Sequence, residues 1–150
     1  LHEYGSMEQP LPPKFYVPGD RLWFRNPDES SSDATGYEGS WVFYLGNGQF
    51  TNFWKRETPY TMTSKCVEIY HWRNATWKDA AGELQIDEAK VEALVRASMS
   101  DPQEVERILE QMLRLREPKG VYRSGGCIDT SREYPRLACP GTSDIALPRV

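Results

Sequence analysis

The chain holds two histidines, His2 and His71, and three cysteines, Cys66, Cys127 and Cys139. Cys66 and His71 are the one arrangement with plausible members for nucleophilic chemistry. Such a pair transfers acyl groups: the imidazole accepts the thiol proton and the thiolate attacks a carbonyl. Cys66 and His71 are therefore the catalytic candidates. Their spacing works against direct contact, because five positions on a helix lie about 140° apart while residues three or four apart share a face. The plainer alternative is that Cys66 packs as a small hydrophobe and His71 is a partly exposed helix residue. Cys127 and Cys139 lie in one loop-like stretch and could pair in an oxidising compartment, but spacing alone establishes no bridge.

Other chemistries find less support. There is no Gly-x-Ser-x-Gly elbow for a serine nucleophile and no His-Glu-x-x-His or clustered carboxylate set, so no metal site is expected. Gly46-Asn47-Gly48 opens no helix with a following Lys-Ser/Thr, so it is no phosphate loop. An aromatic group (Trp41, Tyr44, Phe50, Phe53 and Trp54) could line a groove for a peptide or sugar, with Ser40, Trp41, Asn52 and Trp54 as the binding candidates. The alternative is a sheet packed on helices, the ordinary fate of aromatic residues. Full burial of Trp41 and Trp54 would favour the second, and an open tryptophan-lined cleft beside Ser40 and Asn52 the first.

The elements that must carry these residues fall into three zones. Before residue 60, the prolines at 10, 12 and 13 make 8–13 extended, and Lys14–Val17 reads as a short strand stopped by Pro18-Gly19-Asp20. Arg21–Arg25 is a second strand, followed by a polar loop through Asn26-Pro27-Asp28 and Ser30–Ser32. Asn47-Gly48 between 40–45 and 49–54 predicts a β-hairpin. The zone 61–117 reads as helical. Thr63 or Ser64 caps a first helix, Ile86–Met99 forms a second, and Asp101-Pro102 opens a third whose Val105, Ile108, Leu109, Met112, Leu113 and Leu115 follow a helical period. Residues 118–150 form an irregular tail, with Val121–Arg123 a candidate edge strand. The fold class is α+β: an antiparallel sheet of about four short strands and a 40–54 hairpin, packed on two or three helices.

Length and charge bound the function. With 150 residues the chain reads as a single domain, 1–150, and 39% hydrophobic and 27% charged residues suit a packed core. Lys and Arg number 18 against 22 Asp and Glu, a net charge of -4. That balance lacks the basic face needed to neutralise phosphates, so nucleic acid is not an expected partner. No apolar run is long enough for a membrane span. A start at Leu1 without an initiator Met reads as the C-terminal portion of a larger protein.

One stretch is familiar. Phe15, Val17-Pro18-Gly19-Asp20, Leu22, Phe24 and Asn26-Pro27-Asp28, then Gly39 to Leu45, Gly46 and Phe50, resemble the C-terminal half of the bacterial spore-coat-type transglutaminases. Leu1, Tyr4 and Leu11-Pro12 fit the lead into that unit, and Lys65, Tyr70 and Arg73 fit its helix; the resemblance covers residues 1–75. It implies a papain-like fold and crosslinking of protein glutamine to lysine, or glutamine deamidation, through a cysteine thioester, with no cofactor. The family's catalytic positions are not matched. Its Cys lies upstream of Leu1, its Glu falls at Ser40, and its His falls near Asn52 or Phe53. A catalytic version thus needs an upstream segment or second chain to bring the Cys, with His71 as the migrated base and a protein or peptide as substrate. The alternative is a non-catalytic adaptor or toxin-effector module that binds through its aromatic groove. Both a secreted or delivered effector and a cytoplasmic protein stay open.

Overall fold

The computed structural model describes residues 2–4, 16–52, 54, 57–114, 125–129 and 136–138. In chain order these form β1 (His2–Tyr4), β2 (Arg21–Arg25), α1 (Glu29–Ser32), β3 (Gly39–Gly46), β4 (Gln49–Thr51), β5 (Tyr60–Thr61), α2 (Met62–Trp72), β6 (Thr76–Lys78), β7 (Leu84–Ile86), α3 (Glu88–Met99), α4 (Pro102–Met112), β8 (Ile128–Asp129) and β9 (Arg136–Ala138). The main sheet has the order β5-β4-β3-β2-β8, and the two-stranded ladders β1-β9 and β6-β7 stand apart from it. All pairings are antiparallel. The fold is α+β, as its sequence pattern implies.

Local chemistry explains the hairpin that centres the sheet. Asn47 and Gly48 have φ of 51° and 70°. Two consecutive positive φ values make the turn whose twist matches that of the flanking strands, and Asn-Gly adopts it at least cost. Pairing opposes Leu22 to Val42, Phe24 to Ser40, and Tyr44 to Phe50. Opposed residues share a face, and this face carries the core: Leu22, Phe24, Val42 and Phe50 are all buried, together with Cys66, Val67 and Ile69 of α2.

The familiar motif residues are structural fasteners. In Val17-Pro18-Gly19-Asp20, Gly19 takes φ of 95° and Asp20 N–H donates to Val17 O at 3.0 Å. This is the proline-then-glycine tight turn. The turn is tied to the sheet by Gly19 N–H donating to Tyr44 O and Tyr44 N–H to Asp20 O, each at 2.8 Å. Asn26 is fully buried, and its amide donates to Ser31 Oγ at 2.9 Å and Tyr37 O at 3.0 Å. Its carbonyl accepts from Asp28 N–H, and Asp28 caps α1 by accepting from Ser31 N–H at 2.9 Å.

Several elements differ from the sequence reading. Ser30–Ser32 is a one-turn helix instead of a loop, because Asp28 satisfies its first donors. The first long helix is capped by Thr61, with Ser64 completing a reciprocal capping box, instead of by Thr63 or Ser64. The zone read as helical contains the β6-β7 hairpin, turned by Gly82 at φ of 80° and by Asp79 accepting from Ala81 and Glu83 N–H. Tyr16 and Val17 are not in a strand, and the expected strands at Lys14-Phe15 and Val121–Arg123, like Cys139, lie outside the described residues. α4 forms as expected, with Asp101 capping and Pro102 in the first turn, whereas α3 starts only at Glu88, because Asp87 caps it and Ile86 pairs in β7. Two strands, β8 and β9, come from the segment read as tail. No described helix is long and apolar enough to cross a membrane.

Candidate functional site

Ser40 and Trp41 are consecutive in β3, so their side chains leave opposite faces of the sheet. A cleft of about 1110 Å³ takes in both, together with Asn52 and Trp54, and so curves round that end of the strand. All four binding candidates line it. Trp54 is 89% exposed and Trp41 is half-buried, so neither is spent on the core.

On the core-facing side the cleft has a polar floor. Asn52 Nδ2 donates to Ser40 Oγ at 3.4 Å, and Asn52 Oδ1 accepts from Trp54 N–H at 3.2 Å. One buried amide thus fixes both the hydroxyl and the chain that presents the exposed tryptophan. The Tyr60 hydroxyl is buried beside Ser40 and Asn52, yet among the described residues no partner meets it in good hydrogen-bond geometry. Burial, and then the nearby Glu68 carboxylate, push its phenol far above the ordinary range, so it stays protonated. Lys65 of α2 is 2% exposed, pairs with Glu68 at 3.1 Å and lies 4.8 Å from the Tyr60 ring centroid.

The outer side is aromatic. Trp23 and Trp41, opposed across β2 and β3, pack with their rings tilted by 53° and centroids 4.8 Å apart, and the Arg21 guanidinium lies 4.5 Å from the Trp41 ring centroid. Gly39 is required here: a Cβ would come within 2.5 Å of Phe24 O and 2.7 Å of the Trp23 ring. Across the cleft, Tyr37 packs edge-on to Trp72 and donates to Glu88 at 2.9 Å. Burial, followed by that contact with Glu88, pushes its phenol up to about 12. Val91, Val95 and Met99 of α3 supply the apolar wall.

The catalytic candidates lie elsewhere. Cys66 is fully buried, a neighbour of the equally buried Cys127. Burial, then that neighbour, hold the Cys127 thiol well above its ordinary value and so in its protonated form. His71 is 5% exposed. Its Nε2 lies 2.7 Å from Ser98 Oγ on α3 and its Nδ1 3.2 Å from Asn74 Nδ2. Neither residue lines the cleft, and each has partners of its own in the interior. Among the described residues no group of three or more His, Cys, Asp or Glu could hold a metal ion.

Sequence reasoning did not single out Tyr60 and Glu68 as site residues, and had Lys65 only as a motif match. The available signal was Lys65 with Glu68, an i,i+3 pair on a helix turn otherwise made of Cys66, Val67 and Ile69. A charge in such company is buried with its partner or out of place.

The molecule is thus an α+β protein with an open, tryptophan-walled cleft over a polar floor. Residues 2–136 match the model of the protein-glutamine gamma-glutamyltransferase (TGL) family, and the chain belongs to that family. No curated protein and no solved structure matches it.

Proposed function

We propose that this chain forms the recognition part of a transglutaminase-like centre of the spore-coat type, on a papain-like scaffold. The cleft at Ser40, Trp41, Asn52 and Trp54 receives a glutamine-bearing segment of a protein. The acyl chemistry, whether crosslinking or deamidation, uses a thiol brought by a second chain or by another segment of a longer protein. The observation that carries this reading is the lining of the cleft. Its described residues offer hydroxyl, amide and indole groups suited to hold a carboxamide, but no thiol and no imidazole. Cys66 and His71 serve the interior in this reading.

The test has two arms. The chain alone should bind a glutamine-containing peptide, seen as a change in tryptophan fluorescence, and bind the glutamate counterpart more weakly. It should also fail to incorporate a primary amine into that peptide. Equal affinity for both peptides would overturn the recognition role, and thiol-dependent amine incorporation by the chain alone would overturn the missing nucleophile.

A second reading, binding without any chemistry, as in an adaptor or effector module, is favoured by Ser40. A hydroxyl there cannot take the part of the carboxylate that the resemblance places at this position. Recovery of a glutamine-modified protein by mass spectrometry from a longer protein containing this chain would exclude that reading.

A further inference from the structure

Lys65 and Glu68 both line the cleft, and their side chains meet at 3.1 Å with exposures of 3% and 23%. The geometry leaves each group with capacity to spare. An ammonium carries three N–H donors. Glu68 Oε1 accepts from one of them and is the ammonium's one hydrogen-bond partner among the described residues. The Tyr60 ring faces the same nitrogen, with its centroid 4.8 Å away. A carboxylate accepts at about four lone-pair sites, and among the described residues Lys65 is the one donor that Glu68 meets. A buried ion pair contributes little net stability over apolar groups of similar volume. What distinguishes this pair is its place in the wall of a cleft, where a charged donor and a charged acceptor stand side by side.

We propose that Lys65 and Glu68 together read the side-chain carboxamide of the glutamine that enters the cleft, an inference that rests on the recognition role proposed above. Lys65 Nζ–H donates to the carboxamide oxygen, and the carboxamide N–H donates to Glu68. A carboxamide presents an acceptor and donors on adjacent atoms, so it matches a donor and an acceptor held side by side. A glutamate side chain in the same place presents acceptors alone. Its carboxylate is set against Glu68 and competes with it for Lys65, and like charges so placed repel. The pair is neutral as a whole, so it offers no net charge to draw a carboxylate from solvent. Low exposure sharpens the difference, because away from water a matched polar contact is stronger and an unmatched one costs more. Selectivity for glutamine over glutamate thus belongs to the pair and not to either residue alone.

Fluorescence titration of the full chain with three peptides, identical but for glutamine, glutamate or methionine sulfoxide at one position, tests this. Methionine sulfoxide keeps an acceptor oxygen and has no side-chain donor. Wild type should bind the glutamine peptide about tenfold more tightly than either of the others, the loss expected when a charged acceptor in a low-water site meets no donor. Glu68→Gln leaves Lys65 without its counter-charge and should reverse the order, so that the glutamate peptide binds more tightly than the glutamine peptide. An unchanged glutamine-to-glutamate ratio in folded Glu68→Gln overturns this inference and leaves the recognition role of the cleft standing. If that variant does not fold, the wild-type series decides: methionine sulfoxide bound as tightly as glutamine shows that no acceptor reads the amide N–H, and overturns it equally. Equal wild-type affinity for the glutamine and glutamate peptides, or none for either, overturns the recognition role itself and this inference with it.

Discussion

Lys65 and Glu68 meet at 3.1 Å across one turn of α2, with the lysine side chain 3% exposed and the glutamate 23%. The asymmetry matters. The ammonium has been taken almost wholly out of water, so its partner decides whether it is tolerated. Glu68→Gln leaves that charge without its counter-ion and should destabilise the fold by about 2 kcal/mol, below the range for a fully buried pair because Glu68 retains some water. Lys65→Met should cost less, since it removes the buried charge itself. Urea unfolding of both variants checks the order, and an equal cost would refute this account of the pair.

His71 makes stability depend on pH. Burial chiefly lowers its pKa below 6.5, and the Arg107 and Arg73 charges add to this against an opposing pull from Glu104. A base with a depressed folded pKa binds fewer protons folded than unfolded, so stability rises with pH between the two values. The contribution is complete above 6.5, the unfolded value, and is lost as pH falls below it toward the folded value. Urea unfolding between about pH 7.5 and 5 should show this loss, with His71→Gln flattening the part due to this group.

Asn26 anchors the segment between β2 and β3. Asn26→Ala leaves Ser31 Oγ, Tyr37 O and Asp28 N–H without the partner they now share. The expected cost is about 2–3 kcal/mol. Asn26→Asp should cost a comparable amount, because a carboxylate cannot donate to either Ser31 or the Tyr37 carbonyl. Thermal melts of both variants measure it.

Gly126→Ala should displace the segment that leads into β8, since a methyl group there collides with backbone and not with a side chain that can swing away. A loss of about 3 kcal/mol is expected. Amide exchange should show weakened protection at Ile128, whose N–H donates to Arg114 O.

In the cleft, Trp41→Ala removes the surface against which Trp23 and Arg21 pack. It should weaken glutamine-peptide binding by about tenfold while leaving the core face of β3 intact. Asn52→Ala should weaken binding too, and should free Trp54, whose N–H it now accepts. Trp77→Ala, on exposed β6 and outside the cleft lining, should leave affinity unchanged. Titrations followed by fluorescence compare the three.

The strongest sequence signals were those whose cause lies within four residues. Asn47-Gly48 turns the hairpin because of its own backbone preferences, and Asp101 with Pro102 starts α4 by satisfying donors two and three positions on. The Pro-Gly-Asp and Asn-Pro-Asp motifs could be recognised, yet what they fasten could not. Gly19 reaches Tyr44, and Asn26 reaches Tyr37, across chain distances that no periodicity encodes. The β6-β7 hairpin is not legible in the sequence, because three-residue strands are too short to show alternation. Ser40, Trp41, Asn52 and Trp54 are neighbours through one hairpin, so their grouping was legible; their opening into a cleft was not, since that depends on α3 standing opposite. Cys66 and His71, close in sequence, part company because a helix turns them toward different neighbours, Cys127 and Ser98. The sequence by itself thus determined which turns, caps and strands form. Only the tertiary structure decided which polar groups lose their water, because burial is set by what packs against a residue and not by what precedes it.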